Sequence, residues 1–192
     1  MTPSGRLRLF VAASVPGPLL AQLERATSPL RERWPSARWA PVANQHVTLK
    51  FLGSVDEGLL DPVRAAAATV ALGHRASELR LGLPGVFPSR RRAKVLWIGI
   101  DDPHELLSSL AHDLESHLAQ LGFPAEGRVF RPHLTLARFK DPVRVGAELP
   151  PLDLYDAHAF KIDRVDLFRS HLHPKGARYE ILESFPLGTR NE

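Results

Sequence analysis

Two short segments of the sequence carry a histidine and a threonine in the same arrangement. Residues 46–49 read His-Val-Thr-Leu, and residues 133–136 read His-Leu-Thr-Leu. Successive side chains of a β-strand point to opposite faces, so each histidine shares one face with its threonine, and the two apolar residues share the other. Two such strands would present two imidazoles and two hydroxyls, which is the equipment of an acid–base site.

The two segments belong to a longer internal repeat. His46 and His133 are 87 residues apart, and the same offset aligns the apolar residues 9–11 with residues 96–98 and brings the leucines of the following helices into register. A strand–helix–strand unit therefore occurs twice, with the His-x-Thr motif on its second strand. Two similar lobes that face each other would place the two histidines across one cleft.

A pair of imidazoles can divide the acid and base roles, provided that one is protonated while the other is neutral. This division predicts a bell-shaped dependence of rate on pH. The residues alone do not say which histidine is the acid. Thr48 and Thr135 could donate hydrogen bonds to phosphoryl oxygens, although threonine is also common in strands for its β-propensity alone.

Strand alternation sorts the charged neighbours of the motifs. Arg131 has the parity of His133, so we expect it on the cleft face, where it would neutralise an anionic substrate. Arg138 has the opposite parity and should point away, unless a β-bulge reverses the alternation. Lys50 shares the parity of His46 and should lie on the same face, further along the strand.

Two other groups invite a functional reading. Arg90, Arg91 and Arg92 follow a Pro-Ser turn, which predicts either a solvated loop or a basic lip that contacts a nucleic-acid backbone. His171 and His173 lie in a Pro-Gly turn without a recognisable third ligand, so we do not expect a metal there. The sequence has no phosphate-binding Gly-rich loop, no Gly-x-Ser-x-Gly and no His-Glu-x-x-His.

The composition is that of a globular domain. The 192 residues are 44% hydrophobic and 24% charged, and no apolar run approaches the roughly 20 residues that span a bilayer. Cysteine is absent, which excludes disulfides, thiol catalysis and cysteine-bound zinc. A net charge of +4 is compatible with a phosphate-bearing partner. We expect a cytoplasmic protein.

Apolar periodicity and turn residues predict the elements that position these groups. Pro142, Pro150 and Pro151 mark residues 140–157 as a connection, and residues 171–176 should form a hairpin turn. The first motif strand is predicted to end near residue 53, and the second is predicted to span residues 129–139. The other predicted strands cover residues 7–13, 79–83, 95–100, 160–168 and 179–185. Three helices are predicted. The first ends at residue 34, the second covers residues 57–72, and the third runs from Pro103 to Leu121 and is followed by Gly122.

Longer strings resemble a known family. Residues 44–53, 87–89 with 95–97, 130–138, 169–170 and 179–180 are similar to the 2H phosphoesterase superfamily, within it to the RNA 2′,3′-cyclic phosphodiesterase branch, also called 2′-5′ RNA ligase. Two departures are Val47, where leucine or isoleucine is usual, and Phe168, where tyrosine is common. The second leaves open whether the residue at 168 contacts a base.

The resemblance implies a bilobal α+β fold in which two antiparallel sheets flank a central cleft, built as a single domain over residues 1–192 from two intertwined lobes. It also implies hydrolysis of an RNA terminal 2′,3′-cyclic phosphate to a 2′-phosphate by a monomer without metal or cofactor. By this analogy His46 is the proton donor and His133 the proton acceptor. Thr48 and Thr135 would bind the phosphate, together with Arg131 from the parity argument.

Further candidate contacts to RNA are Phe51, Arg169 and the arginines at 90–92. The same site could run in reverse and join a cyclic phosphate to a 5′-hydroxyl, forming a 2′-5′ linkage. Two alternatives stay open at this point. The protein could be an RNA-binding module without catalysis, or it could open a small cyclic ester that is not RNA.

Overall fold

The computed structural model describes residues 5–146, 149, 152, 159–174 and 176–189. Within these residues, besides short 3-10 turns at Val42–Asn44 and Glu57–Leu59, the chain forms thirteen α-helices and β-strands. They are β1 (Arg6–Ser14), α1 (Gly17–Ala26), α2 (Ser28–Arg33), β2 (Arg38–Trp39), β3 (His46–Asp56), α3 (Leu60–Gly73), β4 (Ser77–Phe87), β5 (Ala93–Asp101), α4 (Leu106–Ala119), β6 (His133–Val143), β7 (Phe160–Ile162), β8 (Arg164–His171) and β9 (Arg178–Pro186).

The strands form two antiparallel sheets. The first sheet has the order β3-β1-β8-β9, and the second has the order β2-β6-β5-β4-β7. His46 begins β3 at an edge of the first sheet, and His133 begins β6 in the second. The predicted α+β fold with two antiparallel sheets is confirmed.

Local sequence explains where the helices begin and end. The Asp102 carboxylate accepts hydrogen bonds from the backbone N–H groups of Leu106 and Leu107, at 2.9 and 2.7 Å, so α4 begins three residues later than Pro103. α4 ends at Ala119, and Gly122 in the turn that follows lies in the left-handed region, with φ of 86°, which favours glycine. The helix predicted up to residue 34 is two helices, because the chain breaks at Thr27.

A β-bulge interrupts β3 just after its histidine and threonine. In the pairing with β1, Val11 lies opposite Lys50 and Ala12 lies opposite Thr48, so Leu49 has no partner of its own. Leu49 and Lys50 are consecutive and both buried. The side-chain alternation therefore reverses beyond Leu49.

The same irregularity occurs at the equivalent place in β6. Leu96 of β5 lies opposite Ala137 and Trp97 lies opposite Thr135, so Leu136 is the extra residue. Leu136 and Ala137 are again consecutive and both buried. The 87-residue repeat thus extends to the bulge, since Leu49 and Leu136 are separated by that offset.

The partner strands follow the repeat less closely. Phe10 of β1 pairs with Phe51, whereas Val95 of β5 pairs with Arg138. Phe51 and Arg138 are equivalent by the 87-residue offset. The residue of the second repeat that is equivalent to Phe10 is therefore Val95 and not Trp97. The ungapped alignment of residues 9–11 with 96–98 is therefore two residues out. A shift of two residues keeps every side chain on its face.

The bulge in β3 turns Lys50 into the interior, so the expectation that it shares the face of His46 is wrong. Lys50 is 2% exposed. Its ammonium donates hydrogen bonds to the Glu115 carboxylate of α4 at 2.8 Å and to the Pro124 carbonyl at 2.7 Å. The backbone N–H of Glu126 donates to the same carboxylate. Lys50 therefore ties the first motif strand to the segment that leads into the second.

The second motif strand starts later and ends later than predicted. Pro132 has no N–H for a strand ladder, and β6 begins at His133. β6 then continues to Val143, so the connection predicted over 140–157 begins later, and most of it lies outside the described residues. No helix in the described part of the chain is long and apolar enough to cross a membrane.

Replacing Lys50 by methionine should destabilise the protein by about 2 kcal/mol, because the change leaves the Glu115 carboxylate without its cation. This loss is smaller than that for a fully buried ion pair, since the Glu115 side chain is 27% exposed. Urea unfolding followed by circular dichroism measures the change. Lys50→Met with Glu115→Gln has no unpaired charge and should be more stable than Lys50→Met alone. Equal stability of Lys50→Met and the wild type would contradict a structural role.

Candidate active site

Both His-Thr pairs line one cleft between the two sheets. The cleft has a volume of about 560 Å³, which is enough for a nucleotide. His46 and Thr48 line it from the first sheet, and His133 and Thr135 line it from the second. The geometric expectation from the repeat, that the two motifs share one cleft, agrees with this arrangement.

The ring of His133 is held by the backbone two residues upstream. Its Nδ1 lies 2.6 Å from the Arg131 carbonyl oxygen. A carbonyl oxygen can only accept, so Nδ1 carries the hydrogen and donates it. In the neutral ring Nε2 is then the basic nitrogen and is free to accept a proton. Phe87 and Trp97 contact the ring edge-on, with centroids 5.1 and 5.9 Å away.

His46 is fixed in the same way, by a hydrogen bond to the backbone of Asn44, also two residues upstream. Phe10 stacks on the imidazole with centroids 4.7 Å apart, and Tyr179 contacts it edge-on at 5.2 Å. Phe168 is buried and stacks on both Phe10 and His46, with centroids 4.9 and 5.5 Å away. Phe168 thus supports the ring of His46 and does not line the cleft, which disfavours a contact between residue 168 and a base.

Burial dominates the electrostatics of both histidines. It lowers the pKa of His46 from 6.5 to about 4, the hydrogen bond to Asn44 opposes this, and the charges of His133 and Arg138 lower it further. Burial also lowers the pKa of His133, against its hydrogen bond to Arg131, and Arg138 adds to the lowering. Both imidazoles are therefore neutral in the empty site at neutral pH.

Of the two arginines that strand parity compared, Arg138 lines the cleft and Arg131 does not. Arg138 lines the cleft, because the bulge at Leu136 returns it to the face of His133. The expectation that Arg138 points away is wrong for this reason. Arg131 precedes the regular strand, is exposed and does not line the cleft. What it contributes to the geometry is its carbonyl, and phosphate binding by its side chain stays a prediction.

The remaining RNA-contact candidates divide between the cleft and its surroundings. Phe51 lines the cleft and is 56% exposed, since the bulge in β3 turns it to the face of His46. Arg169 is half-buried in β8 and does not line the cleft. The arginines at 90–92 are exposed in the turn between β4 and β5 and do not line the cleft. Their contacts to RNA stay predictions.

The two turn histidines have different surroundings. His171 lies 2.8 Å from the Glu180 carboxylate across the β8–β9 hairpin, whereas His173 lines the cleft. In the part of the chain that the structure describes, no three His, Asp or Glu side chains are grouped as metal ligands. Metal independence is a separate matter and stays a prediction.

Sequence reasoning missed several residues of the cleft wall. Arg38 and Trp39 form a two-residue strand that is too short for any periodicity to reveal. Tyr179 is the second residue of the last strand, within a string that resembles the family, but without an assigned role. Asn44 could have been found from the repeat, because it precedes His46 by the same two residues as Arg131 precedes His133.

Comparison with known proteins assigns the family. The model of the 2′-5′ RNA ligase superfamily matches residues 15–174, which is most of the chain. This chain belongs to the 2′-5′ RNA ligase superfamily. The resemblance seen in residues 44–53 and 130–138 is thereby confirmed.

Individual members of the 2′-5′ RNA ligase superfamily match over nearly the full length. The RNA 2′,3′-cyclic phosphodiesterase of Methanothermobacter thermautotrophicus is 30% identical over 185 residues, covering 95% of this chain and all of that protein. The protein of the same name from Thermus thermophilus is 33% identical over 195 residues, covering 94% and 90%. The crystal structure of E. coli LigT in apo form superposes with a TM-score of 0.79 at 26% identity, covering 97% of this chain and all of LigT.

The lowered pKa of His46 makes stability depend on pH. The unfolded chain takes up a proton at this histidine below pH 6.5, whereas the folded protein does so only near pH 4. The free energy of unfolding therefore has its full value, as far as this histidine is concerned, above pH 6.5. It decreases as the pH falls from 6.5 to 4, because only the unfolded chain takes up the proton in this interval. His46→Gln should recover about 2 kcal/mol of the wild-type loss between pH 7 and 4.5, as measured by urea unfolding.

The control for this measurement is His112→Gln, on an exposed residue of α4. This variant should lose as much stability as the wild type over the same pH interval. If His46→Gln also does so, burial of the imidazole does not disfavour its charged form.

Proposed function

We propose that this protein hydrolyses the terminal 2′,3′-cyclic phosphate of RNA to a 2′-phosphate, by acid–base catalysis with two histidines. The observation that carries the proposal is the pairing of two imidazoles and two hydroxyls from facing sheets around one cleft. An in-line displacement at phosphorus needs a base and an acid on opposite sides, and two facing strands can supply them. Membership of the superfamily supports the same reaction.

In the proposed reaction His133 Nε2 accepts a proton from a water molecule, whose oxygen bonds to phosphorus. The bond from phosphorus to the 3′ oxygen breaks, and protonated His46 gives its proton to that oxygen, leaving a 2′-phosphate and a 3′-hydroxyl. The hydrogen bond from Nδ1 of His133 to the Arg131 carbonyl leaves Nε2 free to accept this proton. Because His46 has an equivalent bond to the backbone of Asn44, the assignment of acid and base follows the family resemblance.

The transition state concentrates negative charge on the non-bridging phosphoryl oxygens. Thr48 and Thr135 are half-buried in the cleft, where their hydroxyls can donate to those oxygens. Arg138 adds a positive charge on the same wall. We assign it the neutralising role that strand parity suggested for Arg131.

Substrate binding and protonation are coupled in this proposal. The pKa of His46 is lowered to about 4 in the empty cleft, so the acid is not yet charged at neutral pH. A bound phosphate brings a negative charge next to the imidazole and raises its pKa. The site therefore acquires its acid when the substrate arrives, and the bell-shaped pH profile expected from two histidines stays a prediction.

Several observations support a nucleotide as the substrate. The relatives named above are called RNA 2′,3′-cyclic phosphodiesterases. A crystal structure of E. coli LigT complexed with 3′-AMP superposes with a TM-score of 0.77 at 25% identity. Phe51 exposes its ring in the cleft, 5.9 Å from that of Phe10, and offers a face on which a base could stack. No cofactor is part of the proposal.

His46→Ala and His133→Ala should each lower kcat/KM on an RNA ending in a 2′,3′-cyclic phosphate by about a thousandfold, because each removes one partner in proton transfer. Chromatography of the products should give a 2′-phosphate end from the wild type, in the presence of EDTA. Adding an RNA with a 5′-hydroxyl tests the reverse reaction, which should form a 2′-5′ linkage.

Full activity of both histidine variants would refute the mechanism. Loss of activity in EDTA, restored by a divalent ion, would refute metal independence. RNA binding without turnover would favour the binding-module alternative, and turnover confined to cyclic esters other than RNA ends would favour the small-molecule alternative.

The exchange of Arg131 for Arg138 in the proposal can be tested directly. Arg138→Ala should lower kcat/KM by about tenfold to a hundredfold, the usual effect of losing a hydrogen bond between charged groups. Arg131→Ala removes the same charge but keeps the carbonyl that holds His133, so it should lose much less. The reverse order of the two losses would restore the assignment made from strand parity.

A further inference from the structure

Arg38 and Arg138 stand directly opposite each other in the second sheet. The short strand β2 pairs with β6, and these two residues are partners in that pairing. Like charges at directly opposed positions destabilise a sheet. Both side chains are exposed and both line the cleft. A bound anion between the two arginines would relieve their mutual repulsion, so the arrangement indicates an anion-binding site.

Nothing in the described part of the chain neutralises this pair. Neither arginine makes an ion pair with a described carboxylate, and no described Asp or Glu lines the cleft. Arg64 and Arg164, by contrast, each contact two carboxylates. The two positive charges at the cleft are therefore available to an anionic ligand that enters there.

The backbone that carries Arg38 is firmly held. The indole N–H of Trp39 donates to the Trp34 carbonyl at 3.3 Å, and the Arg31 guanidinium lies 4.7 Å above the Trp39 ring. The N–H of Ala40 donates at 2.8 Å to the carbonyl of Leu136, the bulged residue of β6. The backbone at Arg38 is thus fixed relative to β6 before any ligand binds, which reduces the backbone entropy lost on binding.

We infer that Arg38 binds the internucleotide phosphate immediately 5′ of the nucleotide that carries the cyclic phosphate. This inference rests on the proposed function. Arg138 continues the row of His133 and Thr135 along β6, and Arg38 lies one strand further out, about 4.8 Å away by ordinary strand spacing. A cyclic phosphate carries one negative charge, which Arg138 can match. A second unpaired arginine on the next strand is suited to the next phosphate of the chain.

Arg38 would then determine substrate length. A cyclic mononucleotide has no internucleotide phosphate and gains nothing from Arg38, whereas an RNA end gains a second charged hydrogen-bonded contact. The protein would consequently favour RNA ends over cyclic mononucleotides. This selectivity arises outside the reacting phosphate, so it can be removed without loss of the chemistry.

The test compares three substrates with wild type and Arg38→Ala. The substrates are a 2′,3′-cyclic mononucleotide, a dinucleotide that ends in a cyclic phosphate, and the same dinucleotide with an uncharged methylphosphonate linkage. Arg38→Ala should lower kcat/KM on the charged dinucleotide by about tenfold or more. It should change kcat/KM on the mononucleotide and on the uncharged dinucleotide by less than about twofold, which is well below the effect of losing one charged contact.

Salt dependence gives a second readout. Loss of one phosphate contact should reduce the slope of log kcat/KM against log salt by about 0.7 for the charged dinucleotide. Arg25→Ala, which removes the same charge from an exposed position of α1, should leave both the slope and the substrate preference unchanged. Arg178→Ala removes a cleft arginine on the first sheet and serves as a comparison. Circular dichroism verifies that each variant is folded.

The possible results separate this inference from the proposed function. No turnover of any cyclic phosphate by the wild type would refute the proposed function, and the length selection with it. Turnover of all three substrates with equal losses for Arg38→Ala would overturn the subsite alone. The subsite would also be overturned if Arg178→Ala, and not Arg38→Ala, abolished the preference for the charged linkage.

Discussion

One extra residue in each motif strand determines which side chains face the cleft. Leu49 and Leu136 are bulged at the same place in the repeat, just beyond each threonine. Without the bulges, Lys50 would extend into the cleft and Phe51 and Arg138 would be buried. With them, the cleft gains an exposed aromatic ring and a guanidinium, and the ammonium goes to the interior. A β-bulge next to an active site commonly re-aims a side chain in this way.

The two histidines are set up by their surroundings as much as by their strands. Each is hydrogen-bonded to the backbone two residues upstream and supported by aromatic rings, Phe10 for His46 and Trp97 for His133. The backbone bond fixes the ring and its tautomer. The apolar support lowers the pKa of each imidazole by burial. Orientation and basicity are therefore determined by the same few contacts.

The interior of the protein connects the two halves of the site. Lys50 departs from the cleft and joins the Glu115 carboxylate of α4 to the Pro124 carbonyl, on the segment that leads into β6. One bulge thus has two effects, since it exposes Phe51 to the cleft and sends a cation to hold the other repeat. The short strand β2 performs a related task outside, because Ala40 binds the bulged Leu136 through the backbone.

The order of the residues was enough to predict which side chains could carry the chemistry and to identify the family. His46, Thr48, His133 and Thr135 could be selected because the strand period and the 87-residue repeat are both visible in the order of residues, without knowledge of which strands pair. Only the pairing of the strands shows that Arg138 and Arg38 line the cleft and that Arg131 does not. Strand parity fails beyond a bulge, and a bulge depends on the pairing with a neighbouring strand, which no local pattern reveals. A two-residue strand such as β2 exists only because β6 is there to bind it.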